Sequence, residues 1–168
     1  MNRYPLIFSF TDTISGSGFT AEVLTKGRLL ASLEPGGLWL YGVNPGGLAS
    51  GDEDLDRAYV GFRRTFSEVL SDIADESSNL EDFAARARAF LNETNEPTSK
   101  EWMAAVEEVR AGKLDIPGMD RKPAETKPEM VIRAKAELRP NESASRRMCA
   151  PTVRLLQAAN TLALAKAA

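Results

Sequence analysis

The spacing of apolar residues changes abruptly about a third of the way along the chain, and this change constrains the fold more than any other feature. From Leu55 to Ile73 the apolar side chains recur every three or four residues without a break. That spacing places them on one face of a helix, so a helix of roughly six turns is expected over residues 53–75. We expect Phe62 and Phe66, in the middle of this stripe, to be buried against another element.

Before this helix the apolar residues alternate with polar ones, which is the period of strands. Four strands are expected, over residues 5–10, 18–25, 28–34 and 38–43. Short turns separate them, with Lys26-Gly27 between the second and third strands and a Pro-Gly-Gly turn before the fourth. The sequence therefore predicts the α+β class, with an antiparallel meander of about four strands packed by the long helix.

Two further helices are expected after the long one, over residues 78–92 and 98–111. Each range begins with the spacing of a capping box, in which a hydroxyl residue is followed three residues later by a glutamate. These pairs are Ser78 with Glu81 and Thr98 with Glu101. Gly112 is placed to end the third helix, because glycine readily adopts the left-handed conformation that follows a helix.

The composition changes again beyond the third helix, so we expect residues 1–113 to form the α+β core domain. Residues 114–129 contain three prolines and are expected to be a linker. Residues 130–138 alternate, which favours a late strand, although their Ala, Lys, Arg and Glu content also suits a helix. A weak helix is expected to begin at Pro151, so residues 130–168 are predicted to be a basic C-terminal strand plus weak helix. Its small apolar stripe consists of Val153, Leu156, Ala159 and Leu162.

The chain contains no histidine and one cysteine, Cys149. It therefore cannot build a Ser-His-Asp, Cys-His or histidine-metal centre, and we expect no catalytic residue, metal site or cofactor. A single cysteine cannot form an internal disulfide, which agrees with a reducing compartment.

The apolar stretch near the N-terminus is about six residues, shorter than that of a signal peptide, and no apolar run reaches the ~18–20 residues of a membrane span. We therefore expect a cytoplasmic protein without membrane contact.

Charge is distributed unevenly along the chain. Residues 1–109 hold 9 Lys and Arg against 18 Asp and Glu, a net charge of −9, whereas residues 110–168 hold 12 against 6, a net charge of +6. A basic segment after an acidic body indicates an acidic partner for that segment, such as DNA, or a segment that is simply solvated. The candidate contacts to nucleic acid or to a partner protein are Arg133, Lys135, Arg146 and Arg147.

Residues 43–58, VNPGGLASGDEDLDRA, raise the question of a phosphate-binding loop, because glycines precede a helix there. Such a loop binds anions through backbone N–H groups at the positive end of a helix. Residues 52–56 place four carboxylates at that end, where they would repel a phosphate, and the Lys-Ser/Thr pair of a P-loop is missing. We therefore expect a turn at residues 44–47 and a helix capped by Asp52.

The same region resembles the core of HicB-type antitoxin domains. In that family a strand leads into a Pro-Gly turn, a short strand, a Gly-Asp or Gly-Glu pair and an Ala- and Glu-rich helix. Pro45-Gly46 match the turn and Gly51-Asp52 match the pair. The resemblance covers about residues 1–75 and is sharpest over residues 37–70. It implies a partial ribonuclease-H-like sheet that is not an enzyme, that neutralises a small, basic RNA-cleaving toxin, and that often represses its own operon.

The chain departs from this family in several places. One extra residue separates Gly51-Asp52 from Leu55, Gly47 stands where a cysteine or small residue is common, and residues 19–34 look like an additional hairpin. Two extra helices follow where many members pass directly to a last strand and a DNA-binding tail. The C-terminal segment shows neither a ribbon-helix-helix nor a helix-turn-helix pattern, which leaves its mode of DNA binding open.

Two other functions stay open. One is a metal-dependent nuclease, for which the carboxylates on or near strands are Asp12, Glu22 and Glu34; solvated strand ends and turns account for them more simply. The other is a stand-alone protein-interaction domain, which can be a homo-oligomer. Trp39 and Tyr41 lie two apart on one strand, an arrangement that can stack nucleobases, but we expect them to be core beneath the long helix.

Overall fold

The computed structural model describes residues 3–135 and 161–166 of the chain. The elements are β1 (Arg3–Gly16), β2 (Phe19–Glu34), β3 (Gly37–Asn44), β4 (Ala49–Asp52), α1 (Leu55–Asp75), α2 (Leu80–Asn92), α3 (Glu96–Arg110), β5 (Arg121–Pro123), β6 (Glu129–Ala134) and β7 (Leu162–Lys166). The strands form one sheet in the order β4-β3-β2-β1-β7-β5, and β6 also pairs with β2. The predicted α+β class is confirmed, with its meander, long helix, two further helices and late strand. No helix in the described residues is both long enough and apolar enough to cross a membrane.

A long hairpin of β1 and β2 forms the centre of the sheet, with all of β1 opposite residues of β2. The expected turn at Lys26-Gly27 is wrong, since residues 19–34 form one continuous strand. Gly27 lies opposite Phe8, and a Cβ atom at this position would collide with the Phe8 ring and with the Asn44 carbonyl oxygen. The glycine therefore makes room for an aromatic ring of the core instead of forming a turn.

The strands β3 and β6 share the other edge of β2. Residues 28–34 of β2 pair with β3, and residues 21–26 pair with β6. The late strand expected over residues 130–138 is thus present as β6, Glu129–Ala134, in the main sheet, and residues 136–138 lie outside the described residues. The strand β4, which apolar alternation does not predict, extends the sheet beyond β3.

Near the C-terminus, β7 lies between β1 and β5, antiparallel to the first and parallel to the second. The weak helix expected in this part of the chain is wrong for residues 161–166, and the remainder of its range lies outside the described residues. Ala163, Leu164 and Ala165 are at most 1% exposed. This burial arises because Leu164 belongs to the apolar cluster on one face of the sheet and Ala165 to the cluster on the other.

Residues of the expected linker, 114–129, also contact the core. Leu114, Ile116 and Met119 are half-buried against the main apolar cluster, and β5 lies within the same stretch. Two strands from the expected C-terminal segment, β6 and β7, pair with strands of residues 1–113. The described parts of all three segments therefore contribute to one sheet.

The helices α1 and α2 pack on one face of the sheet, which we call the α1 face. Their core includes Phe8 and Leu40. Phe62 and Phe66 of α1 are 1% and 0% exposed, which confirms the expectation from the apolar stripe. The Phe66 ring meets the Phe10 ring edge-on, with centroids 4.8 Å apart, a geometry that adds to the stabilisation from burial.

The helix α3 packs on the opposite face, which we call the α3 face. Its Trp102 is 1% exposed and lies in a cluster with Ile7, Leu30 and Val43. The indole N–H of Trp102 donates to the Leu6 carbonyl oxygen at 3.4 Å. The helix therefore covers the middle of the sheet, where β1, β2, β3 and β7 lie side by side.

The residue that caps α1 differs from the expected one. Asp54, rather than Asp52, is the N-cap, and its carboxylate accepts from the Arg57 amide at 2.8 Å. The Asp52 carboxylate accepts from the Glu53 amide at 2.7 Å instead. Both aspartates suit a cap, so composition alone does not decide between them.

The caps of α2 and α3 are also displaced from their predicted positions. Asn79 caps α2 in place of Ser78, and Asn95 caps α3 in place of Thr98. Asparagine caps a helix as well as serine does. Asn95 precedes the range predicted for α3, whereas Asn79 lies inside the range predicted for α2. Gly112 has a φ of +71° just beyond the end of α3, which confirms its predicted role.

Candidate partner-binding site

The turn at residues 44–47 holds the connection between α2 and α3. The Gly46 amide donates to the Glu93 carbonyl oxygen at 2.8 Å, and the buried Asn44 side chain donates to the Thr94 hydroxyl at 2.8 Å. The Gly46 amide is thus engaged by the protein and does not point at an anion. This agrees with the expectation of a structural turn instead of a phosphate-binding loop.

Trp39 and Tyr41 stand on the α3 face of β3, so the expectation that they lie beneath the long helix is wrong. Leu40, between them, faces α1, and the alternation of the strand turns both aromatic side chains to the opposite face. The α3 cluster reaches Tyr41 but leaves Trp39 39% exposed. The two rings stack with centroids 6.2 Å apart and planes 17° from parallel.

Small residues flank Trp39 on both neighbouring strands. Gly51 of β4 and Ser32 of β2 are its partners in the sheet. A Cβ atom at Gly51 would lie 2.7 Å from the indole ring, so the ring occupies this place because residue 51 has no side chain. The Ser32 hydroxyl is buried and has no hydrogen-bond partner among the described residues.

A carboxylate lies beside the aromatic pair. The Tyr41 hydroxyl donates to Glu34 Oε1 at 3.0 Å. Desolvation raises the pKa of Tyr41, and the hydrogen bond to Glu34 raises it further, so the phenol stays protonated and continues to donate near neutral pH. Glu34 makes no ion pair with a described residue, whereas the nearby Glu101 pairs with Arg3 at 3.1 Å. We call Trp39, Tyr41 and Glu34 the aromatic platform.

An open depression of about 460 Å³ adjoins the platform at the Arg3–Glu101 ion pair. Its charged lining consists of Arg3, Lys100, Glu101 and Glu108. Two cations and two carboxylates balance there, so the depression adds no net charge to the surroundings. Glu34 is therefore the unpaired charge that is bonded to the aromatic pair, through the Tyr41 hydroxyl.

Two of the predicted basic contact residues lie together at the other end of the α3 face. Arg133 is exposed on β6, opposite Glu22, and Lys135 donates from Nζ to the Thr13 hydroxyl at 3.1 Å. Arg146 and Arg147 lie outside the described residues. The nearby ion pair of Lys26 and Glu129, at 4.0 Å, shows that cations and carboxylates are interleaved here.

The carboxylates that a metal-dependent nuclease would need do not converge on one site. Asp12 accepts from the Ser67 hydroxyl at 2.6 Å on the α1 face, whereas Glu22 points to the α3 face. Glu34 lies twelve residues further along the same strand as Glu22, roughly 40 Å away at the usual rise per residue. In residues 3–135 and 161–166, no group of three or more His, Cys, Asp or Glu side chains could hold a metal ion.

Sequence reasoning missed the neighbours of Trp39. Ser32 and Gly51 approach it only because three strands pair side by side, and Glu34 approaches through the Tyr41 hydroxyl. The alternation around Leu40 is the one local feature of the sequence that indicates this site, because it places Trp39 and Tyr41 on the face that α1 does not cover.

No family model, no curated protein and no solved structure matches this chain. Three features therefore bear on its function: the charge of its surface, the aromatic platform and the resemblance over residues 37–70.

Proposed function

We propose that this chain is a non-catalytic binding protein of the HicB-like kind, an antitoxin that neutralises a small, basic RNA-cleaving toxin. The observation that carries the proposal is the negative charge of the three helices and their connections, with α1 and α2 on one face of the sheet and α3 on the other. Residues 52–110 hold 7 Lys and Arg against 15 Asp and Glu, a net charge of −8. A surface of one sign attracts a partner of the other sign and accelerates its association.

About half of these carboxylates are available to a partner. Several carboxylates of these helices and their connections, on both faces of the sheet, are exposed and make no ion pair with a described residue. They are Asp56, Glu68, Asp72, Asp75, Glu81, Glu93, Glu96 and Glu108. A basic protein can bind such a surface without first displacing cations of the chain itself.

The local structure around the resemblance also supports the proposal. The Pro45-Gly46 turn is followed by the short strand β4 and then by α1, which is the succession of elements in the HicB pattern. The same resemblance extends the proposal to repression of the chain's own operon, with the exposed Arg133 and Lys135 as candidate DNA contacts.

The proposal is tested by expressing the products of the adjacent open reading frames with and without this chain. We expect one product to be a small basic protein that arrests growth by cleaving RNA, and growth to recover when this chain is present in a stable complex. A chain that leaves RNA cleavage unchanged, or adjacent products that are all harmless, would contradict the antitoxin role. A self-associating chain without such a partner would favour the stand-alone interaction domain.

The same experiment has a variant that tests the charge argument. Replacing Asp72 and Asp75 by lysine changes the charge of the exposed surface without touching a buried residue. We expect association with the basic partner to slow, and the salt dependence of association to weaken, because steering by surface charge is screened by salt. Unchanged association rates at low salt would contradict a role for this acidic surface.

A further inference from the structure

We propose that the aromatic platform binds the guanidinium group of an arginine on a basic partner protein. This inference rests on the proposed function, because it names the chemistry by which the partner is held. It is carried by three features of one small area: an exposed indole, a second ring stacked on it, and a carboxylate without an ion pair.

The exposed ring supplies the attraction for a cation. Trp39 is 39% exposed, although large aromatic side chains are usually buried, and its ring is nearly parallel to that of Tyr41. Indole is the aromatic group that attracts cations most strongly. A guanidinium is planar and weakly hydrated, so it stacks flat on such a ring more readily than an ammonium does.

The carboxylate supplies the charge that an arginine requires. Glu34 accepts from the Tyr41 hydroxyl at 3.0 Å through Oε1, which holds the side chain beside the aromatic pair. Its other oxygen makes no hydrogen bond to a described residue. A guanidinium that stacks at this position can donate N–H groups to that oxygen, and charge-assisted hydrogen bonds of this kind are among the stronger ones in proteins.

Ser32 is a neighbour of Trp39 whose hydrogen-bonding capacity is unused within the described part of the chain. Its hydroxyl is buried next to Trp39 in the sheet and has no hydrogen-bond partner among the described residues. A buried polar group without a partner is unfavourable. Because this hydroxyl is closed to solvent, the groups that a guanidinium can reach are the exposed indole and Glu34.

Charge favours a protein over a nucleic acid at this site. Nucleobases also stack on exposed aromatic rings, but their phosphates would meet the unpaired Glu34. Of the two cations in the adjoining depression, Arg3 is already paired with Glu101 at 3.1 Å, and Lys100 shares the depression with the carboxylate of Glu108. An arginine therefore meets an attractive charge at the platform, whereas a phosphate meets a repulsive one.

The test uses tri-arginine peptide as the probe and tryptophan fluorescence of the full chain as the readout. Trp102 is buried and serves as a constant background, so a saturable change reports on Trp39. We expect saturation with tri-arginine, no saturation with neutral tri-citrulline, and loss of the signal in Trp39→Leu. Glu34→Gln keeps an acceptor for Tyr41 but loses the charge, and it should weaken binding about tenfold.

A matched control separates the platform from the general acidity of the surface. Glu68→Gln removes the same charge from an exposed position on α1 and should leave tri-arginine binding within about twofold of wild type. Equal weakening by both glutamine variants would overturn the proposal, as would equal binding of tri-citrulline. Saturation by a single-stranded oligonucleotide in place of tri-arginine would assign the platform to nucleic acid and also overturn it.

The platform and the antitoxin role can fail separately. If tri-arginine binds as described but no adjacent product is neutralised, the platform stands and the antitoxin role falls. If a toxin is neutralised and Trp39→Leu binds it as tightly as wild type, the antitoxin role stands and the platform is wrong. Melting curves of each variant show whether it remains folded, and the surface variant Glu34→Gln keeps the test valid if Trp39→Leu does not fold.

Discussion

Adding one methyl group at Gly46 tests how the sheet is joined to the helices. In Gly46→Ala the new Cβ atom would collide with the backbone nitrogen of Asn95 and lie 2.9 Å from the Thr94 carbonyl carbon. Both contacts are with backbone, so a side-chain rotation cannot relieve them. The turn and the α2–α3 connection must separate by roughly 1 Å to reach an ordinary contact distance.

The magnitude follows from what this separation disturbs. Forcing an extra methyl group into a packed site costs about 1–3 kcal/mol. The separation also weakens the hydrogen bonds from the Gly46 amide to Glu93 and from Asn44 to Thr94, both 2.8 Å long, each worth about 1 kcal/mol when fully lost. Replacing glycine by alanine also adds about 0.4–1 kcal/mol to the unfolding free energy, because alanine restricts the unfolded chain. We therefore expect a net loss of about 2–3 kcal/mol of unfolding free energy.

The adjacent glycine provides the control. A Cβ atom at Gly47 would meet no atom within 4 Å, and the residue is not among those with positive φ. Gly47→Ala should therefore be neutral or more stable by up to about 1 kcal/mol. Urea unfolding measures both variants, with equal m-values required for the comparison. A Gly46→Ala variant within about 0.5 kcal/mol of wild type, or no less stable than Gly47→Ala, would refute the reasoning.

Three further outcomes are expected. Phe66→Ala should lower the unfolding free energy by about 3–5 kcal/mol, because its ring is fully buried; a loss below about 1 kcal/mol in urea melts would contradict the packing of α1. Desolvation raises the pKa of Tyr59, so its contribution to stability is complete below about pH 10 and is lost as the pH rises further. In Tyr59→Phe the unfolding free energy, measured in denaturation curves across alkaline pH, should fall less steeply as the pH rises. An equally steep fall would show that Tyr59 does not cause it. If the basic segment binds DNA, alanine at Arg133 and Lys135 should reduce the slope of log K against log salt by about 0.9 for each lost phosphate contact, and an unchanged slope would exclude them as contacts.

The helix α1 could be predicted from the sequence because its signal is local. An unbroken apolar stripe indicates both the helix and the side that faces the core, so the burial of Phe62 and Phe66 follows from spacing alone. The caps were harder to place, since Asp52 and Asp54 both suit the start of the helix. The choice of Asp54 depends on where β4 ends, which is decided by its pairing with β3.

The errors arise where a residue's role is set by a distant strand. Lys26-Gly27 suits a hairpin turn, but the Phe8 ring of the opposite strand occupies the space that a side chain at residue 27 would fill. The strand β7 is buried on both faces, so its short run of Leu and Ala carries neither the strand nor the helix period. For Trp39, alternation indicates which face the side chain lies on but not how far α3 extends over that face.

The two proposed contact regions lie at opposite ends of the same face of the sheet, and this separation has a consequence for regulation. Glu34 of the platform and Glu22, which is opposite Arg133, are twelve residues apart on β2, or roughly 40 Å at the rise of an extended strand. The helix α3 lies between them over the middle of the sheet. A small protein on the platform therefore leaves the end of the sheet with Arg133 and Lys135 accessible, and we expect Trp39→Leu to bind DNA as tightly as wild type. Weaker DNA binding by Trp39→Leu at constant salt would show that both regions belong to one surface, which is incompatible with this arrangement.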